Sequence, residues 1–234
     1  FPSVIAAEQA GIDFSGFKAA SDFVIEYSGQ RYAIGDAVRR LSDVPITDMD
    51  RSRIGSDFYK TLLAAAMVST LRESGPISAV LTMPLDWYED RDEAKKLLEG
   101  EYKVVHNGQT YEYELAKQHI RIIPEGFGVL CMRYLDERGC RNGSGIDRAN
   151  VGIVEIGTGT TDLSFFESLK VNSVRSDGLP YGLSQVWRAV QRAIKKDFKR
   201  NFALHEIDEI IRLGAFMHNG LPQDVDTYVE SYRP

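Results

Sequence analysis

Cysteine is scarce in this chain. The two that occur among 234 residues, Cys131 and Cys140, have no CxxC partner and no nearby histidine at metal-binding spacing, which favours reduced thiols over a disulfide framework or a zinc site. The four histidines, at positions 106, 119, 205 and 218, show no HxxxH-type spacing, so they offer no metal-ligating pair along a helix. Long apolar runs are missing as well. Stretches such as Leu62 to Val68 fall far short of the roughly 20 residues a membrane span needs, and no basic-then-apolar segment opens the sequence. A cytoplasmic protein with no membrane span is the expectation. Nor is there an excess of positive charge: 28 Lys and Arg stand against 34 Asp and Glu, a net charge of -6. That balance argues against direct binding of nucleic acid, which rests mainly on a Lys/Arg excess.

What is present is ordinary for a globular protein, 43% hydrophobic and 26% charged, with room for one large core or two smaller ones. The segment DFVIEYSGQRYAIGDAV alternates around Ser28-Gly29 and predicts a hairpin leading into a short helix. After a polar stretch from Leu41 to Arg53, Phe58, Leu62, Ala65 and Ala66 or Met67 recur at helical spacing behind an N-cap candidate, Ser56. ISAVLTMPL is a continuous apolar run that stops at Pro84, the pattern of a buried strand. RDEAKKLLEG predicts a short helix stopped by Gly100, and an Asn107-Gly108 turn joins EYKVV to TYEYEL as a second hairpin. HIRIIP predicts a strand, and EGFGVLCMRYLDERG a helix beginning at Glu125. CRNGSGIDRAN, rich in Gly, Asn and Ser, is the linker candidate, which places a domain boundary near residue 147. Beyond it the pattern predicts strands at 151–157, 161–167 and 169–176, then helices at 183–199 and 204–213. The first of these helices carries Val186, Val190, Ile194 and Phe198 on one face and Arg192, Lys195, Lys196, Lys199 and Arg200 on another, a core stripe with a solvated cationic side.

The most informative stretch is VGIVEIGTGTTDLSFF, residues 151–166. Two apolar strands flank a turn in which Gly157 and Gly159 let backbone N–H groups approach an anion closely. Thr158, Thr160 and Thr161 add hydroxyl donors, and Glu155 and Asp162 stand where a phosphate-bound Mg²⁺ ion can be held. A Gly/Thr turn between two strands is also how an ordinary hairpin is made, so its surroundings must decide between the two.

Those surroundings carry a family likeness. In order along the chain, IEYSGQRYAIGDA, DFYKTLLAAAM, TMPLDWY, IIPEGFGVL, VEIGTGTTDL and GLPYGLSQVWRAVQRAIKKDF resemble an actin-like ATPase of the plasmid-segregation (ParM/StbA-like) group. The resemblance implies an α/β fold of the actin-like (ribonuclease H-like) type, with two domains of mixed sheets flanked by helices, here at 1–147 and 148–234. It implies that Gly157, Thr158, Gly159, Thr160 and Thr161 wrap the phosphates of ATP or GTP, and that Glu155 and Asp162 serve Mg²⁺. It further implies that Glu125 orients the attacking water, since in-line phosphoryl transfer needs chiefly a positioned nucleophile and stabilised charge. The residues alone allow Glu125 the plainer role of a first-turn acid favourable to the helix dipole. The expected partners are further copies of the protein, in filaments, and an adaptor protein bound to plasmid DNA. A non-hydrolysing actin-like scaffold is the alternative, and a sugar-kinase or Hsp70-like member of the same superfold a third.

Two departures from the family pattern stand out. The metal position follows Asp-x-Gly in the family, whereas here it is Glu155-Ile156-Gly157; the extra methylene shifts the carboxylate by about 1.5 Å, and misplacement of about 1 Å at a reacting centre can cost on the order of 10²-fold. The first phosphate loop, an Asp-x-Gly hairpin, and the Gly-rich adenosine loop have no counterpart in the sequence. The resemblance therefore implies a fragment or reduced version of a longer protein, with poor nucleotide affinity on its own.

Overall fold

Ser28 (φ 52°) and Gly29 (φ 75°) both take left-handed backbone angles, the requirement of a two-residue hairpin turn, and they join β2 (Val24–Tyr27) to β3 (Gln30–Ile34). This computed structural model describes residues 3–8, 23–41 and 51–230; Phe1 and Pro2 of the opening segment and most of the polar stretch expected before Arg53 lie outside the described residues. By its contacts the chain divides into two units, one of Phe1–Met83 with Trp87–Ile123, the other of Pro84–Asp86 with Pro124–Pro234.

In the first unit β1 (Ile5–Ala7) pairs with β3, and α1 (Asp36–Leu41) follows that strand. The expected core helix is α2 (Asp57–Thr70), and the Ser56 side chain caps it by accepting the Tyr59 N–H at 3.3 Å. Then come β4 (Gly75–Pro76), β5 (Ala79–Met83), α3 (Arg91–Leu98), β6 (Gly100–His106), β7 (Gln109–Leu115) and β8 (Ile120–Pro124). The six-stranded sheet runs β1-β3-β2-β6-β7-β4 and is mixed, since β4 pairs with β7 in parallel and the other pairs are antiparallel. Alternation aims Tyr102, Val104, Tyr113 and Leu115 at one face, where they pack with Ile25 and Ile34 against Phe58, Leu63, Ala64 and Met67 of α2. Each fully buried aliphatic side chain there contributes about 1.5–3 kcal/mol. Leu62 is half-buried and Ala66 exposed, so the buried stripe of α2 is Phe58, Thr61, Leu63–Ala65, Met67 and Val68.

The second unit opens with α4 (Phe127–Tyr134). The helix begins after Glu125, because Gly126 is left-handed (φ 83°) and serves as its N-cap. The stretch 140–150, expected as a linker, folds back on the end of α4 within this unit. There Asn142 donates its N–H to Tyr134 O at 2.9 Å and its side-chain amide to Arg133 O at 2.8 Å. Next are β9 (Asn150–Ile156), β10 (Thr161–Glu167), β11 (Lys170–Val171) and β12 (Asp177–Leu179), with β10 central to the sheet. Of the single strand expected at 169–176 only Lys170–Val171 forms, and the next strand starts beyond it at Asp177. Asn172 accepts the N–H groups of Val174 and Arg175, both at 3.1 Å, which turns the chain out of the ladder. The hydroxyl of Ser176 then takes the N–H of Phe165 at 2.8 Å in place of a backbone carbonyl. The unit continues with α5 (Leu183–Phe198), α6 (Leu204–Leu213), a hairpin of β13 (Ala215–His218) and β14 (Leu221–Asp224), and α7 (Asp226–Glu230). Val190 and Ile194 of α5 meet Ile207 and Ile210 of α6, Phe202 and Phe216 in a core of their own. Among the described residues no helix is long and apolar enough to cross a membrane.

Candidate functional site

The Gly/Thr hairpin pairs Ile156 with Thr161 and Glu155 with Asp162. The backbone closes with one bond, Gly157 N–H to Thr160 O at 2.9 Å. In an ordinary tight turn the reciprocal bond would use Gly157 O, but that carbonyl accepts the N–H of Leu183 at 3.0 Å, and Thr158 O accepts the N–H of Ser184 at 2.9 Å. The first turn of α5 thus holds the carbonyl side of the loop. The N–H groups of Thr158, Gly159 and Thr160 donate to no acceptor among the described residues. Three successive backbone donors, next to the Thr158 hydroxyl, can serve an anion.

The expected site residues divide by environment. Thr158 is exposed, and Gly159, Thr160 and Thr161 are half-buried. The Thr161 hydroxyl donates to Tyr181 O at 2.8 Å, fixing it to the strand end, and the Thr160 hydroxyl donates to Asp162 Oδ2 at 3.1 Å. Glu155 is exposed, whereas Asp162 is only 3% exposed. Burial pushes the Asp162 carboxyl above its ordinary range; the Asp86 carboxylate pushes the same way, while hydrogen bonds from Thr160 and from the backbone of Leu85 pull it down. Across the ladder Asp162 faces Gly178, and the Asp86 carboxylate fills the space a Cβ on Gly178 would take, 2.5 Å from that position. Opposed residues of a ladder share a face. Glu155, Asp162 and Asp86 therefore form one row beside the turn. Among the described residues no three His, Cys, Asp or Glu side chains converge closely enough to hold a metal unaided.

Glu125 sits in the turn before α4 and is half-buried. Its carbonyl accepts the hydroxyl of Ser164 at 3.2 Å, so β10 ties the Glu125 turn to the hairpin. Gly126 has a second reason to be glycine, for a Cβ there would lie 3.2 Å from Ser164 Oγ and 3.5 Å from Ile153. Reading the sequence missed Asp86, Leu85, Gly182 and Ser164. Only Gly182 left a local signal, a glycine at the mouth of a strongly amphipathic helix; the others act across long sequence separations.

A surface cavity of about 420 Å³ lies elsewhere, on the first unit's sheet, lined by Gly75, Pro76, Tyr102, Lys103, Tyr113 and the carboxylates of Glu101, Glu112 and Glu114. Its acidic lining is unsuited to phosphate, and it includes none of the residues above.

Residues 1–128 match the family described as actin like proteins, N terminal domain. Among curated proteins none matches the chain by sequence. Solved structures match by fold. The pCBH ParM non-polymerisable quadruple mutant superposes with a TM-score of 0.78 at 17% identity, covering 99% of this chain and 72% of that one. A 15-stranded ParM filament from Clostridium botulinum gives 0.77 at 16% identity, covering 99% and 72%. The archaeal actin homologue Ta0583 in complex with ADP gives 0.72 at 17% identity, covering 99% and 70%. At such identities the likeness carries the fold, an α/β actin-like fold with mixed sheets and flanking helices. The N-terminal domain match spans more than half of the sequence and the fold match nearly all of it, and on that footing the chain belongs to the actin-like proteins.

Proposed function

We propose that the hairpin at 151–166 is the phosphate grip of an ATP-dependent, filament-forming actin-like ATPase, with ATP (or GTP) and Mg²⁺ as its ligands. The observation that carries this reading is the set of three N–H groups, on Thr158, Gly159 and Thr160, that meet no acceptor among the described residues, beside the hydroxyl of Thr158. In an ordinary two-residue turn the two central N–H groups are left to solvent but the fourth residue's N–H bonds back; here Thr160 N–H does not, because Gly157 O is taken by Leu183, and all three donors are left to fit phosphate oxygens. Gly157 to Thr161 wrap the phosphate tail. Glu155, exposed beside the loop, and Asp162 behind it form the acidic side toward the metal, and Glu125 orients the attacking water. Mg²⁺, when bound, offsets the charge of the phosphates. The exposed Glu155 suits an ion held through its water shell. The ADP held by Ta0583 supports nucleotide as the ligand, and the Clostridium botulinum filament supports self-association. Plasmid segregation through an adaptor protein bound to DNA, in the cytoplasm, completes the proposal.

A second reading, a nucleotide-binding scaffold that does not hydrolyse, is favoured by one residue, Glu155 in the place of the family's Asp. Ligand-observed NMR with ATP, ADP, tripolyphosphate and adenosine tests the site itself. Saturable ATP binding displaced by tripolyphosphate but not by adenosine is expected; no saturable ATP signal at any concentration overturns it. Phosphate release and ATP-dependent pelleting then separate the two readings, since a scaffold binds and pellets without releasing phosphate.

A further inference from the structure

The two carbonyls that the hairpin gives to α5 belong to the same peptide groups as two of its free donors. Gly157 O and the N–H of Thr158 share one peptide plane, and Thr158 O and the N–H of Gly159 share the next. In a trans peptide the C=O and N–H bonds point in opposite directions. With Gly157 O fixed on Leu183 N–H at 3.0 Å and Thr158 O on Ser184 N–H at 2.9 Å, the N–H groups of Thr158 and Gly159 are aimed away from α5. Gly182 makes this approach feasible. Its backbone is extended (φ -149°, ψ -168°), which any residue adopts, so glycine is required there by space: a Cβ would lie 2.5 Å from Gly157 O and 2.7 Å from Thr158 C and O.

From this geometry we infer that the first turn of α5 is the aiming device of the phosphate loop, with Gly182 and the Leu183 and Ser184 N–H groups as positioning elements. The inference rests on the phosphate-grip reading and extends it to regulation of the same site. An anion that accepts from Thr158 and Gly159 polarises both peptide groups, which makes their carbonyls better acceptors for α5. Phosphate occupancy therefore tightens the first turn of α5, and a loosened first turn weakens phosphate binding. The same two peptide groups serve both partners, so the coupling is reciprocal.

Two measurements on the chain test it. In the first, the amide hydrogens of Leu183 and Ser184 are followed by exchange NMR with and without saturating ATP. Exchange slowed about threefold or more is expected; unchanged exchange under saturation overturns the coupling. The second compares Leu183→Pro with Leu183→Ala. Both lose the leucine side chain, but only proline removes the N–H, and the first helical position accepts proline without disrupting the helix. Leu183→Pro is expected to bind ATP about fivefold more weakly than Leu183→Ala, the worth of one hydrogen bond, and Gly182→Ala to lose at least about tenfold. Equal affinities for Leu183→Pro and Leu183→Ala overturn the aiming role while leaving the phosphate grip intact. If the wild-type chain shows no saturable ATP binding, the grip itself fails, and this inference with it, before any variant is compared.

Discussion

Asp162 takes its character from where its neighbours put it. It is 3% exposed, and burial together with the nearby Asp86 carboxylate raises its pKa, against hydrogen bonds from Thr160 and Leu85 that lower it. A carboxyl whose folded pKa lies above its unfolded value binds a proton more readily when folded. Its stabilising contribution is therefore full below the ordinary carboxylate pKa of about 3.9 and is lost as pH rises through the folded value. Asp162→Asn keeps an oxygen acceptor for Thr160 and Leu85 but removes the charge. Thermal melts at pH 7 should show a higher Tm for the variant, with the gain shrinking as pH falls toward 4. A lower Tm at pH 7 would mean that the two hydrogen bonds outweigh the burial penalty. Alternation along DLSFF, read alone, would turn Leu163 and Phe165 inward, whereas the structure buries Asp162, Ser164 and Phe166, so the burial of Asp162 is not legible in the sequence. Nor is Asp86, because it reaches Gly178 from a part of the chain some 90 residues earlier, and only the fold brings the two together.

Elements whose signals are local appear where the sequence places them. Ser56 caps α2, the Ser28-Gly29 and Asn107-Gly108 turns close their hairpins, α5 shows the expected apolar face, and α6 forms as a helix at 204–213. The same turn chemistry recurs at Asn219 (φ 51°) and Gly220 (φ 79°), between β13 and β14. That hairpin went unread because its flanking strands, AFMH and LPQD, are short and weakly alternating. In each of these two Asn-Gly hairpins the Asn side chain meets the preceding histidine ring, at 3.0 Å for Asn107 and His106 and 3.2 Å for Asn219 and His218. The strand expected at 169–176 fails for the opposite reason: its apolar content is adequate, but Asn172 and Ser176 substitute side-chain bonds for ladder bonds. At this scale the Ser56 cap gives a clear prediction. Ser56→Ala removes the acceptor of the Tyr59 N–H and should lower unfolding free energy by about 1 kcal/mol, within the usual range for lost caps, as read by urea denaturation. Ser56→Asp, which preserves an acceptor and adds a charge suited to the helix N-terminus, should restore it.

At the scale of the whole molecule, the tryptophans fall one to each unit. Trp87 packs against the core of α2 and the six-stranded sheet, and Trp187 against the core formed by α5, α6 and β13. Each core is closed by its own side chains: Leu115 and Ile207 are both fully buried, in the first and second units respectively. Truncating either leaves a cavity and costs about 2–5 kcal/mol. Two separate cores predict two transitions, and single-tryptophan variants make each visible. In a Trp87→Phe background, fluorescence reports the second unit through Trp187; in a Trp187→Phe background it reports the first through Trp87. Ile207→Ala should lower the midpoint reported by Trp187 and leave that of Trp87 in place, and Leu115→Ala should do the reverse. If either substitution moves both midpoints equally, the two cores unfold as one cooperative body. Saturating ATP sharpens the test. A ligand that binds only the native state stabilises what it binds by mass action, so a phosphate grip built within the second unit should raise the Trp187 midpoint first. An ATP-induced shift confined to Trp87 would place the binding surface in the first unit and remove the hairpin from the site.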